Sequence, residues 1–190
     1  LSGISFLETG NNNGYLDLGA GTGSLINSLS DFSIATYVFI DRELNLNNNG
    51  NFVWTFSNAE NILTNPSGCM FFSAKGSRYA ISLTNYSAEK QANINSNTAQ
   101  DSWQHIVYRQ NGSTGEIYIN GVRQKSGTVS VLPSALGATA FNYLARASYA
   151  GDQYLKNSKY SDFRIYNSAL TPTQITQLAA NKLKLDTLIY

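Results

Sequence analysis

Asp101–Gly127, DSWQHIVYRQNGSTGEIYINGVRQKSG, sets two alternating runs on either side of Asn111-Gly112-Ser113-Thr114-Gly115 and adds a second turn at Asn120-Gly121. Between Ser102 and Arg109, Trp103, His105 and Val107 fall on one face and Gln104, Ile106 and Tyr108 on the other. Glu116 to Asn120 keeps the period of two. The pattern predicts strand, five-residue loop, strand, tight turn, strand. Asn-Gly supplies the two positive φ values that a two-residue turn between right-twisted strands requires, so the register there is set locally.

On the N-terminal side, Phe32 to Asp41 is apolar on both faces, which predicts a central strand covered on both sides. Phe52 to Ser57 predicts the next strand, and Cys69 to Ala74 with Tyr79 to Leu83 a hairpin across Lys75-Gly76-Ser77-Arg78. Ile4 and Phe6, then Tyr15, Leu16 and Leu18, predict two short opening strands. Gly19 to Ser30 is expected as a Gly/Ser loop pinned by Leu25, Ile26 and Leu29, and Leu44 to Asn51 as an exposed loop. Asn85 to Ala99 reads as a polar connector with one short strand near Gln91 to Ile94.

On the C-terminal side, Thr128 to Leu132 continues extended, Phe141 to Ala147 is a strand, Ser148 to Lys159 a loop and Phe163 to Tyr166 the last core strand. Thr171 followed by Pro172 is a helix start, with Ile175, Leu178 and Ala179 on one face. Lys182 to Tyr190 alternates and predicts an added edge strand. About a dozen turn-punctuated strands with one closing helix predict an all-β fold, a two-sheet antiparallel jelly-roll β-sandwich with one short C-terminal helix, as a single domain over 1–190.

Composition narrows the function classes. A chain of 190 residues suits one domain with a two-sheet core. Charged residues are 13%, against a typical value of about 25%, so the surface relies on neutral hydrogen-bonding groups, as suits a secreted, periplasmic or cell-surface β protein. A net charge of +1 without a basic run excludes a nucleic-acid footprint. No apolar run approaches the roughly 18 residues of a membrane span, and the single cysteine, Cys69, excludes an intramolecular disulfide.

SWQHIVYRQNGSTGEIYINGVRQ, a Trp, a His-Ile-Val run and an apolar strand ending in Asn-Gly, resembles the central signature of laminin-G-like domains of the concanavalin A-like lectin/glucanase superfamily. YSDFRIYNSALTPTQITQLA, Tyr160 to Ala179, is similar to their last strand and closing helix, and GISFLETGNNNGYLDLG, Gly3 to Gly19, to their opening strands. Such domains serve as lectins, adhesion modules, enzyme appendages and, in relatives, enzymes. The resemblance implies a non-catalytic carbohydrate-binding module of a bacterial polysaccharide-degrading system. Its partners would be a polysaccharide or glycan and a linked or neighbouring glycoside hydrolase. It also implies a structural calcium ion, whose carboxylates map onto Glu8 and Asp162.

Sugar recognition combines aromatic faces with a few placed hydrogen-bonding groups. Two stretches offer this: Arg146 to Lys156, with Arg146, Tyr149, Asp152 and Tyr154, and Tyr79 to Lys90 with Arg78 beside it, bringing Tyr86 and Glu89. Trp54 and Trp103 lie inside strands and are expected in the core. His105, the sole histidine, has no ligand partners at metal spacing and reads as a packing residue; Cys69, without a partner base, reads as a small buried hydrophobe. Glycoside hydrolysis needs two carboxylates about 5 to 9.5 Å apart. The laminarinase-like relatives carry Glu-x-Asp-x-x-Glu on one strand; the nearest counterpart here, Glu116-Ile117-Tyr118-Ile119-Asn120, keeps one acid. Two alternatives stay open: a protein-interaction, adhesion or structural domain, the first two using a flat tyrosine patch, and a hydrolase whose carboxylates come from distant segments.

Overall fold

The computed structural model describes residues 7–65 and 67–180, in which short aromatic and β-branched runs form the strands. In chain order these are β1 (Leu7–Glu8), β2 (Leu16–Asp17), β3 (Phe32–Ile40), β4 (Phe52–Ser57), β5 (Cys69–Ser73) and β6 (Arg78–Ser82). They continue as β7 (Lys90–Asn93), β8 (Trp103–Asn111), β9 (Thr114–Ile119), β10 (Val122–Thr128), β11 (Phe141–Leu144) and β12 (Ser158–Tyr166). Two helices join them, α1 (Ala20–Asn27) and α2 (Pro172–Ala179). One antiparallel sheet, A, has the order β1-β12-β3-β8-β9-β10; the other, B, has the order β2-β11-β4-β5-β6-β7. This is the jelly-roll sandwich expected, with its C-terminal helix.

Ile34, Val38, Ile106 and Tyr108 of sheet A meet Trp54, Phe56, Met70 and Phe72 of sheet B in the core. Tyr79 and Tyr108 stack across it with ring centroids 3.5 Å apart. A register shift between Phe52 and Trp54 sends Val53 and Trp54 both inward and leaves Phe52 on the outer face of sheet B, the re-aiming a β-bulge performs. As its pattern predicts, β3 is central, flanked by β8 and β12 and buried along almost its whole length. Ile175 of α2 packs on Ala35, Val107 and Tyr118 over the outer face of sheet A, and Thr171 and Gln174 close a capping box at its start.

Local chemistry accounts for the departures. β8 and β9 pair to their ends, Asn111 opposite Thr114, so the turn is Gly112-Ser113 and not a five-residue loop; the Gly112 N–H donates to the Asp31 carboxylate at 2.7 Å. Asn120 and Gly121 adopt φ 52° and 82°, the turn predicted. Gly19 to Ser30 holds helix α1 in place of a loop. Gly23 lets that helix approach so closely that a Cβ there would lie 1.8 Å from the Thr139 carbonyl oxygen. Ile26 and Leu29 are buried as expected, whereas Leu25 is exposed. Leu44, Leu46 and Asn51 are buried, so the loop they belong to is anchored and only partly exposed. β11 ends at Leu144, where Ala145 turns the chain at φ 67°. β12 begins at Ser158, five residues before the expected Phe163, because a bulge between Ser161 and Arg164 restores its pairing with β3. Ile4, Phe6 and the segment Lys182 to Tyr190 lie outside the described residues.

His105 is buried against Tyr37, with ring centroids 4.6 Å apart, and its Nδ1 has no hydrogen-bond partner among the described residues. Burial pushes its pKa down from 6.5 to about 4. The unfolded chain therefore binds this proton more readily, so the stability linked to neutral His105 is present above about pH 6.5 and is lost as pH falls towards about 4. Urea unfolding across this range is expected to show a loss of up to about 3 kcal/mol that His105→Phe lacks.

Candidate functional site

Alternation along β5, β6 and β7 presents one side chain in two to the outer face of sheet B, and the register aligns them in rows. Ser73, Arg78 and Asn93 stand in one row, and Phe71, Ala80 and Gln91 in the next. Phe52 stacks flat on Phe71, with centroids 3.9 Å apart, and Arg78 lies over the same Phe71 ring at 4.9 Å. Loops raise walls around this floor: Asn49 and Gly50 beside Asp152, then Lys75, and then Tyr86 and Glu89. The enclosed groove has a volume of about 700 Å³. Gly50 (φ 95°) bridges to Gln153, where a Cβ would sit 2.3 Å from the Gln153 carbonyl oxygen, so the two walls touch backbone to backbone.

Arg78 Nη1 donates to Glu89 and, at 3.2 Å, to Gln91 Oε1; the Tyr149 hydroxyl donates to the second Glu89 oxygen at 3.2 Å. Tyr149 is 7% exposed, edge-on to Phe52 and Phe71, and braces the floor. Tyr86, 63% exposed and edge-on to Tyr149, is the aromatic face presented to solvent at the rim. Burial raises the Asp152 pKa to about 6 against the lowering pull of Arg78 and Lys75.

Of the five residues read from sequence as sugar contacts, Tyr86, Tyr149 and Asp152 line this one groove. Arg146 and Tyr154 do not. Arg146 is ion-paired with Glu60, and its guanidinium lies over the rings of Tyr15 and Tyr143 at 4.7 and 4.4 Å and that of Tyr154 at 5.8 Å. Tyr143 is on the outer face of sheet B, on β11 beside the edge strand β2, so this cluster and the groove lie toward opposite ends of one sheet face. Between them runs the segment following Ala147, held by Ser148 at Thr55 and Tyr149 at Cys69.

The metal positions lie elsewhere. Glu8 faces Lys159 across β1 and β12 and pairs with it at 3.1 Å, and Asp162 pairs with Arg164. Among the described residues no three His, Cys, Asp or Glu side chains gather as a metal site. Glu116 is held between Arg109 at 3.3 Å and Arg123 at 2.8 Å, the sole carboxylate of its crevice among the described residues. Cys69 is fully buried, and burial pushes its thiol up to about 12, which keeps it protonated. Trp54 and Trp103 are buried as expected, Trp103 with Tyr37 in a cluster outside the main core.

Sequence reasoning did not pick out the amides Asn49, Gln91, Asn93, Asn95 and Asn97 that line the groove. Their signal is in the chain: Gln91, Asn93, Asn95 and Asn97 recur at period two, the first two on the outward face of β7 and the others in the turn that follows, where Asn95 adopts φ 68°.

A laminin-G family model, described as the concanavalin A-like lectin/glucanases superfamily, matches residues 9–176. No curated protein sequence matches the chain. Among solved structures it is similar to domain 4 of AbnA, a GH43 extracellular arabinanase from Geobacillus stearothermophilus, in complex with arabinotriose. That match has 18% identity and a TM-score of 0.63 over 94% of this chain and 82% of that one. It is also similar to the CBM40 of the Ruminococcus gnavus IT-sialidase bound to α2,3-sialyllactose, at 8% identity and TM-score 0.66 over 93% and 96%. The NanB sialidase of Streptococcus pneumoniae matches at 16% identity and TM-score 0.59, and there this chain spans only 28% of the other.

Proposed function

The chain belongs to the concanavalin A-like lectin/glucanases superfamily, and from that premise we propose that it is a non-catalytic saccharide-binding module of a glycan-degrading system, working outside the cytoplasm. The observation that carries the reading is the groove on sheet B: an exposed Tyr86 face, an aromatic floor under Arg78 and a wall of side-chain amides. Apolar platforms with a few placed polar groups suit sugar rings and their hydroxyls. The AbnA domain and the CBM40, solved with saccharides on the same fold, favour it. No helix among the described residues is long and apolar enough to cross a membrane.

Glu89 and Asp152 share the groove, an arrangement that favours a hydrolase reading. Glu89, however, has both oxygens engaged by Arg78 and Tyr149 and serves as an anchor. A reducing-sugar assay on each bound polysaccharide separates the two, since sugar release would sink the module reading. Calcium at Glu8 and Asp162 would compete with Lys159 and Arg164 for the same oxygens. Loss of binding or of thermal stability with a chelator would show that an ion is bound, and disappearance of that effect in Glu8→Gln and Asp162→Asn would assign it to these carboxylates.

Tyr86→Ala is expected to weaken saccharide binding about tenfold, the worth of one ring-stacking face. The melting temperature should stay within about 1–2 °C, because the side chain is mostly solvated. Titration calorimetry and thermal unfolding of the same sample check both halves.

A further inference from the structure

Resting on the saccharide reading of the groove, we infer that its ligand is a neutral, hydroxyl-rich saccharide and that carboxylated sugars are disfavoured. The charged side chains lining the groove are Lys75 and Arg78 against Glu89 and Asp152, a balance of zero with Asp152 ionised. Arg78 is the central cation, and its charge is already matched. Its Nη1 serves Glu89 and Gln91, and the Glu89 side chain is only 10% exposed. A ligand carboxylate that drew Arg78 away would leave Glu89 partly buried without its counter-charge, and would meet the repulsion of both groove carboxylates. Lys75 is committed to Asn49 Oδ1 at 2.9 Å on the exposed rim. The neutral groups that remain are the amides of Gln91, Asn93, Asn95 and Asn97: Gln91 Oε1 accepts from Arg78, Asn93 Oδ1 from the Asn95 N–H and Asn97 Oδ1 from the Gly76 N–H, and each amide still carries an NH2 donor and a second oxygen lone pair, the pairing that sugar hydroxyls satisfy. That zero balance holds above about pH 6, where Asp152 is ionised.

Calorimetric titration of the intact chain at pH 7.5 tests this. Arabinotriose, xylotriose and cellotriose form the neutral arm; trigalacturonate and 3′-sialyllactose form the acidic arm. At least one neutral trisaccharide is expected to bind, with an affinity that changes less than about twofold between low and high salt, as befits an uncharged ligand. The acidic probes should bind at least about tenfold more weakly. Glu89→Gln frees Arg78 from its counter-charge and is expected to narrow that gap by strengthening the acidic arm. An acidic probe binding as tightly as the best neutral one overturns the inference and leaves the saccharide reading standing. A gap that does not narrow in folded Glu89→Gln overturns the part played by the ion pair, and silence in both arms overturns the saccharide reading together with the inference.

Discussion

Arg78→Ala is expected to abolish measurable saccharide binding and to lower stability by about 3 kcal/mol. Breaking a buried ion pair from one side costs about 3–5 kcal/mol because it strands the other charge. Here the stranded group is Glu89, 10% exposed, while Arg78 itself is 26% exposed, which places the loss at the lower end of that range. The truncation also uncovers the Phe71 ring on which the guanidinium rests. Arg78→Met combined with Glu89→Gln removes both charges and keeps most of the packing. Its stability should return to within about 1 kcal/mol of the parent, while binding stays lost. Urea denaturation and calorimetry on the three proteins decide the matter. If Arg78→Ala were as stable as the parent, the pair would be a solvated surface contact that does not shape the groove floor.

Trp54→Ala is expected to cost about 4 kcal/mol and to lower the melting temperature by about 10 °C for a chain of this size. The indole lies between the sheets, 1% exposed, with the rings of Phe56, Phe72 and Tyr79 5.5, 6.2 and 6.0 Å away. The three remaining rings stand on β4, β5 and β6, whose backbones are fixed by their pairing in sheet B, and cannot close over the missing volume, so the cavity term adds to the transfer term. Trp54→Phe should cost about half as much. A melting temperature unchanged in Trp54→Ala would mean that the core collapses around the gap.

The strands were legible wherever period two operates over a buried face: β3, β4, the β5–β6 hairpin and β8–β9 sit where alternation and turn residues place them. Helix α1 was not, because Ala20, Gly21, Gly23 and Ser24 carry neither an apolar stripe nor good propensity. It is held by contact with Thr139, more than a hundred residues away in sequence. The early start of β12 was hidden for a related reason: a bulge shifts the side-chain phase midway, so a search at constant phase finds only its second half. For the groove, the two stretches rich in Tyr, Arg and acids each contributed, but sequence could not tell which members share a wall. Arg146 and Tyr149 are three residues apart, yet one belongs to a tyrosine cage over β11, at the β2 end of the sheet, and the other to the floor beneath Arg78.

The position of β3 governs when this molecule can exist at all. Its neighbours in the sheet come from Trp103–Gln110 on one side and Ser158–Tyr166 on the other. This long apolar strand therefore leaves the ribosome before either of its partners and waits for both, the second following more than a hundred residues later. Long-range pairings of this kind put folding in the millisecond-to-second range and leave an unsatisfied edge exposed meanwhile. With few charges to keep such intermediates apart, the interval before β12 docks is when the chain is most prone to pair with a second copy of itself.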